Sequence, residues 1–231
     1  SNGDGLVRPD ADKDVRGFAL KLLGVTGTQA LPEEQGKDTQ DFLLINSTTL
    51  MVRNVLTYAD FTAAAQAKNQ FSIIGYFLGL NPAGWELRGL KNLIGMISKK
   101  VASPLETRYW STTPYLLGDG QAVKYSVVPC QTGSALPVDP GPNYLREALV
   151  AHLSGDWACF DFQVQVETDP RTMPIEDPTV EWSDKEAPFV TVARIDIPPQ
   201  DLGTTTQDEF CENLSLTPWH SLAAHRPLGG I

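Results

Sequence analysis

Residues 41–61 read DFLLINSTTLMVRNVLTYADF, and this stretch decides the predicted fold. The apolar run at residues 42–45 is too short for a helix and is typical of a core strand. Four polar residues, 46–49, separate it from a second apolar run, and from Val55 the spacing of apolar residues becomes helical. We therefore predict a core strand that leads into a helix through a polar break.

Asn46 is the first residue of this polar break. A buried side-chain amide loses its water and must find hydrogen-bond partners within the protein. Asn46 therefore either bonds to neighbouring backbone or points into a polar cavity, and the sequence leaves both alternatives open. The second alternative makes Asn46 a candidate functional residue.

The composition describes a globular chain and argues against several kinds of partner. The 231 residues are 42% hydrophobic and carry a formal net charge of -10. Because Lys and Arg cluster only at Lys99 and Lys100, we expect no nucleic-acid partner. No apolar stretch reaches the roughly 20 residues that cross a bilayer, so we expect no membrane span. A homo-oligomer is possible, and the sequence does not decide it.

The three cysteines, Cys130, Cys159 and Cys211, are odd in number and widely spaced. This pattern favours reduced thiols in a cytoplasm over a disulfide framework, and it does not have the spacing of a metal site. We therefore expect three free thiols, a cytoplasmic location and no metal ligands.

The rest of the chain alternates between strand and helix patterns. Strands are predicted over residues 14–22, 160–167 and 189–197, and a hairpin over residues 108–130. Helices are predicted from residue 55 to about 68, over residues 85–101 and after Asn143, with a Pro-rich coil at the C-terminus. Since neither half is expected to bury a core alone, we predict one mainly β (α+β) domain over residues 1–231. Its predicted architecture is a closed antiparallel β-barrel with inserted helices.

An ordered series of motifs resembles the haem catalase family. DVRGFALK at residues 14–21 resembles the family's Asp-Pro-Arg-Gly-Phe-Ala strand, and Asn46-Ser47-Thr48 followed by Arg53 resembles its Asn-Asn-Thr-Pro strand. GDGQAV at residues 118–123 is similar to its Ala-Asp-Gly-x-Ala-Val hairpin, and residues 143–167 to its helix and Trp-containing strand. PWH at residues 218–220 and HRPLGG at residues 225–230 resemble the short, catalase-related subgroup. The resemblance covers nearly the whole chain, and we interpret the chain as a central part of the catalase core, excised from a longer protein.

The resemblance implies a haem b protein that breaks down hydrogen peroxide or an organic hydroperoxide in the full-length parent. In this family a tyrosinate holds the haem iron, and a distal His and Asn act on the peroxide. The His moves a proton between the peroxide oxygens while the amide stabilises developing charge. None of His152, His220 and His225 fits the distal role. We therefore expect the distal His before residue 1, the axial Tyr beyond Ile231 and no activity from this segment alone.

The same resemblance implies six site residues. Ser1 matches a serine that orients the distal His, and Asn46 is the candidate catalytic amide, although counting back from Arg53 puts Ile45 at the family's first Asn. The candidate haem-binding residues are Leu50, Met51, Tyr58 and Leu216. For these residues, ordinary packing is the alternative, as is a turn for Ser1 and a backbone bond for Asn46. We expect Ser1, Asn46 and Tyr58 to converge at one end of the barrel.

Two other functions are compatible with the resemblance. The protein could rearrange fatty-acid hydroperoxides, as the related allene oxide synthases do. It could also be a non-enzymatic β-barrel that binds haem or another apolar ligand without turnover. A distal His upstream and an Arg-x-x-x-Tyr motif downstream would favour the enzyme.

Overall fold

The computed structural model describes residues 8–66, 70–80 and 84–230, and one antiparallel sheet forms its centre. The strands follow the order β1-β2-β3-β5-β6-β7, with β4 paired to β5. Their bounds are β1 Gly17–Leu23, β2 Thr39–Ile45, β3 Tyr109–Trp110, β4 Tyr115–Leu117, β5 Gln121–Pro129, β6 Ala158–Val166 and β7 Val190–Ile197. Strands from both ends of the chain therefore share one sheet.

The sheet curls into a half-barrel that is open, so the predicted closed barrel is wrong. Within the described residues, β1 and β7 are the two edge strands and are not paired with each other. The mixed architecture with antiparallel pairing is confirmed. Alternation of side chains predicts strands and their apolar faces, but closure depends on backbone hydrogen bonds between the edges. A side-chain pattern does not encode those bonds.

Five α-helices accompany the sheet in the described part of the chain. They are α1 Val55–Gln66, α2 Gln70–Phe77, α3 Leu87–Ile97, α4 Tyr144–Leu153 and α5 Thr205–Glu212. The helix α5 lies where the sequence predicted coil. Its start is marked by Thr204, whose side chain accepts a hydrogen bond from the Gln207 N–H, and not by an apolar period. None of the described helices has the length and apolar character needed to cross a membrane.

The core lies on the concave face of the sheet, where alternate residues of β2, β5 and β6 meet. Phe42 packs edge-on against Tyr125 and Phe162, with both pairs of ring centroids 5.0 Å apart. Val123 and Val127 on β5 are fully buried beside them. The predicted inward orientation of Phe162 and Val164 is confirmed, because both belong to this core.

The polar break after β2 is fastened to α3 by a close backbone approach. A Cβ on Gly89 would lie 2.3 Å from the Met51 carbonyl oxygen, so only glycine fits at this contact. The Asn92 side chain adds two hydrogen bonds, donating to the carbonyls of Leu50 (2.9 Å) and Thr179 (3.0 Å). These contacts fix the path of residues 46–54 beside the sheet.

Two of the three cysteines form a disulfide, so the expectation of three free thiols is wrong. Cys130 follows β5 and Cys159 lies at the start of β6, and the pairing of these strands brings the two residues opposite each other. Their distance along the sequence, 29 residues, carried no information about this contact. Cys211 on α5 is free and exposed. The cytoplasmic location stays a prediction.

Candidate functional site

An open groove of about 430 Å³ lies along β1 and β2. Its lining is largely apolar and is drawn from both strands, the polar break after β2, the turn between β3 and β4, the start of β4 and the C-terminal segment. The lining residues are Gly17, Phe18, Ala19, Leu43, Leu44, Ile45, Leu50, Ser111, Thr112, Thr113, Tyr115 and Pro218. The groove lies on the two strands that carry the resemblance, and we treat it as the candidate site.

The floor of the groove follows from the register of β1 and β2. Gly17 pairs with Ile45 and Ala19 pairs with Leu43, so these four residues share one face of the sheet. Two small residues beside two branched ones make a low, continuous apolar strip. Such a strip suits a flat apolar ligand, because area contact needs few projecting side chains.

The hydroxyl groups on the rim of the groove are already engaged. Ser111 Oγ donates to the Thr113 carbonyl at 2.9 Å, and Thr112 Oγ1 donates to the Ser111 carbonyl at 2.6 Å. Thr113 Oγ1 donates to the same Ser111 carbonyl at 3.4 Å. Because a hydroxyl has one proton, these three side chains have none left to donate to a ligand. The rim can therefore accept hydrogen bonds from a ligand but cannot protonate one.

Thr112 holds an unusual backbone conformation at this rim. Its φ is +60°, a left-handed geometry that is disfavoured for a β-branched residue. Backbone strain of this kind costs about 1–3 kcal/mol and concentrates at functional sites. The strain therefore supports a functional role for the groove.

Tyr115 is an aromatic residue of the lining, and its phenol stays protonated. Burial raises the pKa of Tyr115 to about 12. Tyr115 therefore contributes a neutral phenol to the packing of the groove.

Pro218 reaches the groove because a buried carboxylate holds its segment. Asp41 accepts hydrogen bonds from Lys21 Nζ (2.5 Å) and from the Thr217 N–H (3.2 Å), and it lies 3.0 Å from His220 Nδ1. The Asp41 N–H in turn donates to the His220 carbonyl. Asp41 is fully buried, so this network anchors the C-terminal segment to β2.

Of the residues predicted from the resemblance, Leu50 lies in the groove lining. Asn46 is buried at 2% exposure and follows β2 on the face of Leu44, opposite the face of Ile45. Leu44 of that face also lines the groove, but Asn46 does not. Of Ile45 and Asn46, it is Ile45 that lines the groove. The motif left open whether Ile45 or Asn46 occupies the position of the family's first Asn. In the structure these two residues lie on opposite faces of the strand.

Asn46 makes definite contacts with β1 and also leaves donors free. Its Oδ1 accepts from the Arg16 N–H at 2.9 Å, and its own N–H donates to the Arg16 carbonyl. Lys99 Nζ donates to the Asn46 carbonyl at 2.5 Å. Its Nδ2 is buried without a hydrogen-bond partner among the described residues. Because Oδ1 faces a donor, the orientation of the amide is fixed and the unpaired group is the NH₂.

The other predicted residues lie in different surroundings. Met51 is half-buried against α3, and Leu216 is half-buried two residues before Pro218. Tyr58 is 51% exposed on α1, so water can satisfy its hydroxyl. The hydroxyl of Tyr76 is the one bound inside the helices, where it donates to the Thr57 carbonyl. Ser1 lies outside the described residues, and its convergence with Asn46 and Tyr58 stays a prediction.

The three histidines are bound outside the groove. His152 Nε2 lies 3.1 Å from the Trp157 carbonyl, and His220 belongs to the Asp41 network. His225 Nδ1 lies 3.0 Å from Gln40 Oε1, and partial burial lowers the pKa of His225. None of them is among the lining residues of the groove, and the position of the distal base stays a prediction.

Several groove residues were not found from the sequence. The small residues Gly17 and Ala19 alternate with the core residues Phe18 and Leu20, so they lie on the other face of β1. The sequence did contain one indication of this face. Leu43 and Ile45, which pair with Ala19 and Gly17, are apolar, whereas a strand face in contact with water is usually polar.

A second, smaller cavity of about 110 Å³ lies on the face of β5 that points away from the core. Two cations line it. Lys124 Nζ lies 4.7 Å from the centroid of the Trp182 ring, and burial lowers the pKa of Lys124 to about 8. The Arg108 guanidinium lies 4.9 Å from the rings of both Trp110 and Phe189, and desolvation lowers the pKa of Arg108. No carboxylate among the described residues lies within ion-pair distance of either cation. This cavity is thus charged where the groove is not.

Comparison with solved structures identifies the fold. The chain superposes on catalase A from Saccharomyces cerevisiae with a TM-score of 0.71 and 16% identity over 95% of its length. It also matches a fungal catalase (TM-score 0.68, 16% identity, 96% of the chain) and a bacterial catalase (0.57, 17%, 84%). The chain has a catalase-like fold.

This likeness is structural, because no protein-family model and no curated protein sequence matches the chain. The catalase-like chain spans 45% of the fungal catalase, 46% of the yeast enzyme and 40% of the bacterial one. The recognition of a catalase-like chain from its motifs is confirmed.

The catalase-like fold implies haem, and the groove fits the apolar faces of that group. The strip of Gly17, Ala19, Leu43 and Ile45 offers flat apolar contact, and Leu50 and Pro218 add walls. No group of three or more His, Cys, Asp or Glu side chains that could hold a metal ion occurs among the described residues. The groove lining contains none of these four residue types, so the groove offers apolar contact to a macrocycle.

Proposed function

We propose that this chain forms one wall of a haem b pocket in a longer catalase-like protein that breaks down hydrogen peroxide or an organic hydroperoxide. The observation that carries the proposal is the apolar strip formed by the paired residues Gly17–Ile45 and Ala19–Leu43 beside a strained rim. The catalase-like fold and the open volume of about 430 Å³ support it. The axial ligand is assigned to a part of the protein outside this chain.

In this proposal the residues of the chain bind and exclude water. The strip covers one face of the macrocycle, and Leu50 and Pro218 close its sides. The bound haem iron supplies the redox chemistry that cleaves the O–O bond. An apolar surround strengthens every hydrogen bond made to the reacting oxygens, because little water remains to compete.

In this proposal the chain supplies no base for proton transfer and one amide donor. The hydroxyls of Ser111, Thr112 and Thr113 are engaged, so the base that moves the peroxide proton is assigned outside the chain. The amide donor is assigned to Asn46, which lies next to the groove-lining Ile45 but is not itself in the lining. Its buried, unpaired Nδ2 supports that role. The competing assignment leaves the position to Ile45, which lines the groove and donates no hydrogen bond.

The test compares two glutamate variants on one face of β1 in the full-length protein. Ala19 lines the groove, whereas Leu23 lies four residues further along the same strand and is 76% exposed. Ala19→Glu should abolish haem binding, because a carboxylate would be buried against the apolar macrocycle without a partner. Leu23→Glu should leave it unchanged. The measurement is the haem absorption per chain after purification from haem-supplied cells.

Loss of hydroperoxide should follow haem content in the same samples. Full haem content in the Ala19→Glu protein would overturn the assignment of the groove. Haem binding without any loss of hydrogen peroxide or an organic hydroperoxide would overturn the enzymatic part and leave a haem-binding protein. Conversion of a fatty-acid hydroperoxide to a rearranged product would replace breakdown by rearrangement.

A further inference from the structure

The disulfide at the end of β5 and β6 lies beside a cation that a purely structural bridge does not require. Arg194 Nη2 lies 3.0 Å from the Cys159 sulfur, and the same guanidinium binds Asp196 Oδ1 through Nε at 2.9 Å. Asp196 is the residue directly opposite Cys159 on β7, and Arg194 lies two residues before it, opposite Asp161. The ion pair with Asp196 therefore holds the arginine beside the Cys159 sulfur. A positive charge at this distance stabilises a thiolate and lowers the pKa of a thiol.

The two sulfurs differ in access. Cys130 is exposed and is followed by ten residues, 131–140, that are all exposed. Cys159 is half-buried within the pairing of β6 with β5 and β7. A small thiol can therefore reach Cys130 more readily than Cys159, while Cys159 has the stabilising charge. An exposed sulfur bonded to a stabilised leaving thiolate is the arrangement that favours exchange.

We propose that Cys130 and Cys159 form a redox-active dithiol site that is oxidised by hydroperoxides and reduced by small-molecule thiols. Cys159 is the sulfur that reacts with the hydroperoxide, and Cys130 is the sulfur that resolves the product. This site is separate from the groove and does not depend on haem.

Each half of the cycle balances. In oxidation, the Cys159 thiolate attacks the terminal oxygen of a hydroperoxide, the O–O bond breaks, and the released alkoxide takes a proton to become an alcohol. Cys130 then attacks the Cys159 sulfenic acid, the disulfide forms and water leaves. In reduction, a thiolate attacks the Cys130 sulfur and the Cys159 thiolate departs beside Arg194. A second thiol releases Cys130, so two thiols supply the two electrons and become a disulfide.

The exposed thiol of Cys211 on α5 is a reference within the same chain. Its reactivity measures what exposure alone gives, since it lies in a different part of the surface from Arg194. A reactive Cys159 should therefore be oxidised faster than Cys211, although Cys211 is more exposed.

The experiment follows the state of each cysteine by mass-tagged alkylation of the full-length protein, in the Ala19→Glu background to remove haem-dependent peroxide loss. In the first arm, millimolar glutathione should open the Cys130–Cys159 bridge without denaturant. Arg194→Gln should slow this opening about fivefold to tenfold, because the leaving thiolate loses its cation. Arg146→Gln, which removes an exposed arginine paired with Asp208, should not change the rate.

In the second arm, the reduced protein meets one equivalent of hydrogen peroxide or cumene hydroperoxide. The bridge should re-form while Cys211 stays a thiol, and a Cys130→Ser variant should accumulate a sulfenic acid on Cys159 that dimedone traps. A bridge that resists glutathione in the folded protein would make it structural and overturn the proposal. Equal oxidation of Cys159 and Cys211, or an unchanged rate in Arg194→Gln, would overturn it as well. Should Cys130→Ser fail to fold, the Arg194→Gln rates decide alone.

Discussion

The groove on β1 and β2 has no charged side chain in its lining, whereas the small cavity beside β5 is lined by two cations. The groove is lined by uncharged residues, and the Asp41 carboxylate that holds its C-terminal segment is buried with Lys21 and His220 as partners. The cavity places Lys124 and Arg108 against aromatic rings, and its carboxylates Glu181 and Asp184 lie beyond ion-pair distance of both cations. The groove thus offers contact area without desolvating a charge, whereas in the cavity the desolvation of both cations outweighs the attraction of the carboxylates and lowers the pKa values.

This difference separates two signals of function. An uncharged groove shows its role through shape and through the strained Thr112, because its polar groups are already satisfied. The cavity shows its buried cations through lowered pKa values, and such shifts also arise at purely structural sites.

The largest expected effect on stability is at the charge that supports the groove. Asp41→Asn should lower the free energy of unfolding by about 3–5 kcal/mol, because it leaves Lys21 without its buried partner. It should also release the segment that carries Pro218. Denaturant titration measures the loss, and the matched control is Asp208→Asn, whose pair with Arg146 is half-exposed. A change below 1 kcal/mol is expected for the control, and an equally small change for Asp41→Asn would contradict a supporting role.

The next effect separates Asn46 from Ile45 in the full-length protein. If Asn46 donates to the reacting oxygens, Asn46→Ala should slow hydroperoxide breakdown by about 10²–10³-fold with haem content unchanged. Ile45→Asn would then add no activity. The opposite result, full activity in Asn46→Ala with a gain in Ile45→Asn, would make Asn46 a structural amide. In that case the two bonds between Asn46 and Arg16 are its function.

The predictable parts of the fold are those in which a local pattern matches a local cause. The alternation at Phe162 and Val164 reports burial on one face of β6, and it predicted that face correctly. Helix α5 was not predicted, because it is marked by the N-cap residue Thr204 and not by apolar residues at helical spacing. Sheet closure and the disulfide depend on which distant segments meet, and one sequence contains no direct record of such contacts.

The candidate site was predictable only to within one residue. The motif located the strand and the polar break, but the face of a strand residue changes with each step, so Ile45 and Asn46 differ fully in surroundings. Gly17 and Ala19 were missed because small residues on a strand give little hydrophobic signal. Tyr58 was favoured for its hydroxyl, which lies where water can reach it.

Removing the charge of Lys124 from the small cavity beside β5 should stabilise the protein. Burial lowers the pKa of Lys124 to about 8, so holding the lysine charged at pH 7 costs about 3 kcal/mol. Lys124→Met should stabilise the protein by that amount at pH 7, whereas Lys91→Met, at an exposed position, should change little. Thermal unfolding of both variants is the measurement.

The change of the stability difference with pH tests independently whether the charge of Lys124 destabilises the fold. Between pH 8 and the unfolded value near 10.5, the unfolded chain keeps the Lys124 proton that the folded chain has released, so wild-type stability rises with pH. The advantage of Lys124→Met should therefore shrink towards zero by about pH 10. Burial raises the pKa of Tyr109 to about 12 as well as that of Tyr115, so above pH 10 both proteins should lose stability together. An advantage that stays constant with pH would show that the fold does not lower the pKa of Lys124 and that packing explains the gain.

The smallest expected effect concerns the strained rim of the groove. Thr112 holds φ at +60°, a region that asparagine tolerates better than a β-branched residue. Thr112→Asn should therefore stabilise the protein by about 1 kcal/mol, and the open groove beside it leaves room for the longer side chain. Thr113→Asn, at a neighbouring residue without positive φ, should not stabilise it. If the strain serves ligand binding, Thr112→Asn should also weaken haem retention in the full-length protein while raising its unfolding temperature. A stabilised variant with unchanged haem retention would mean that the strain belongs to the turn between β3 and β4 and has no part in the function of the groove.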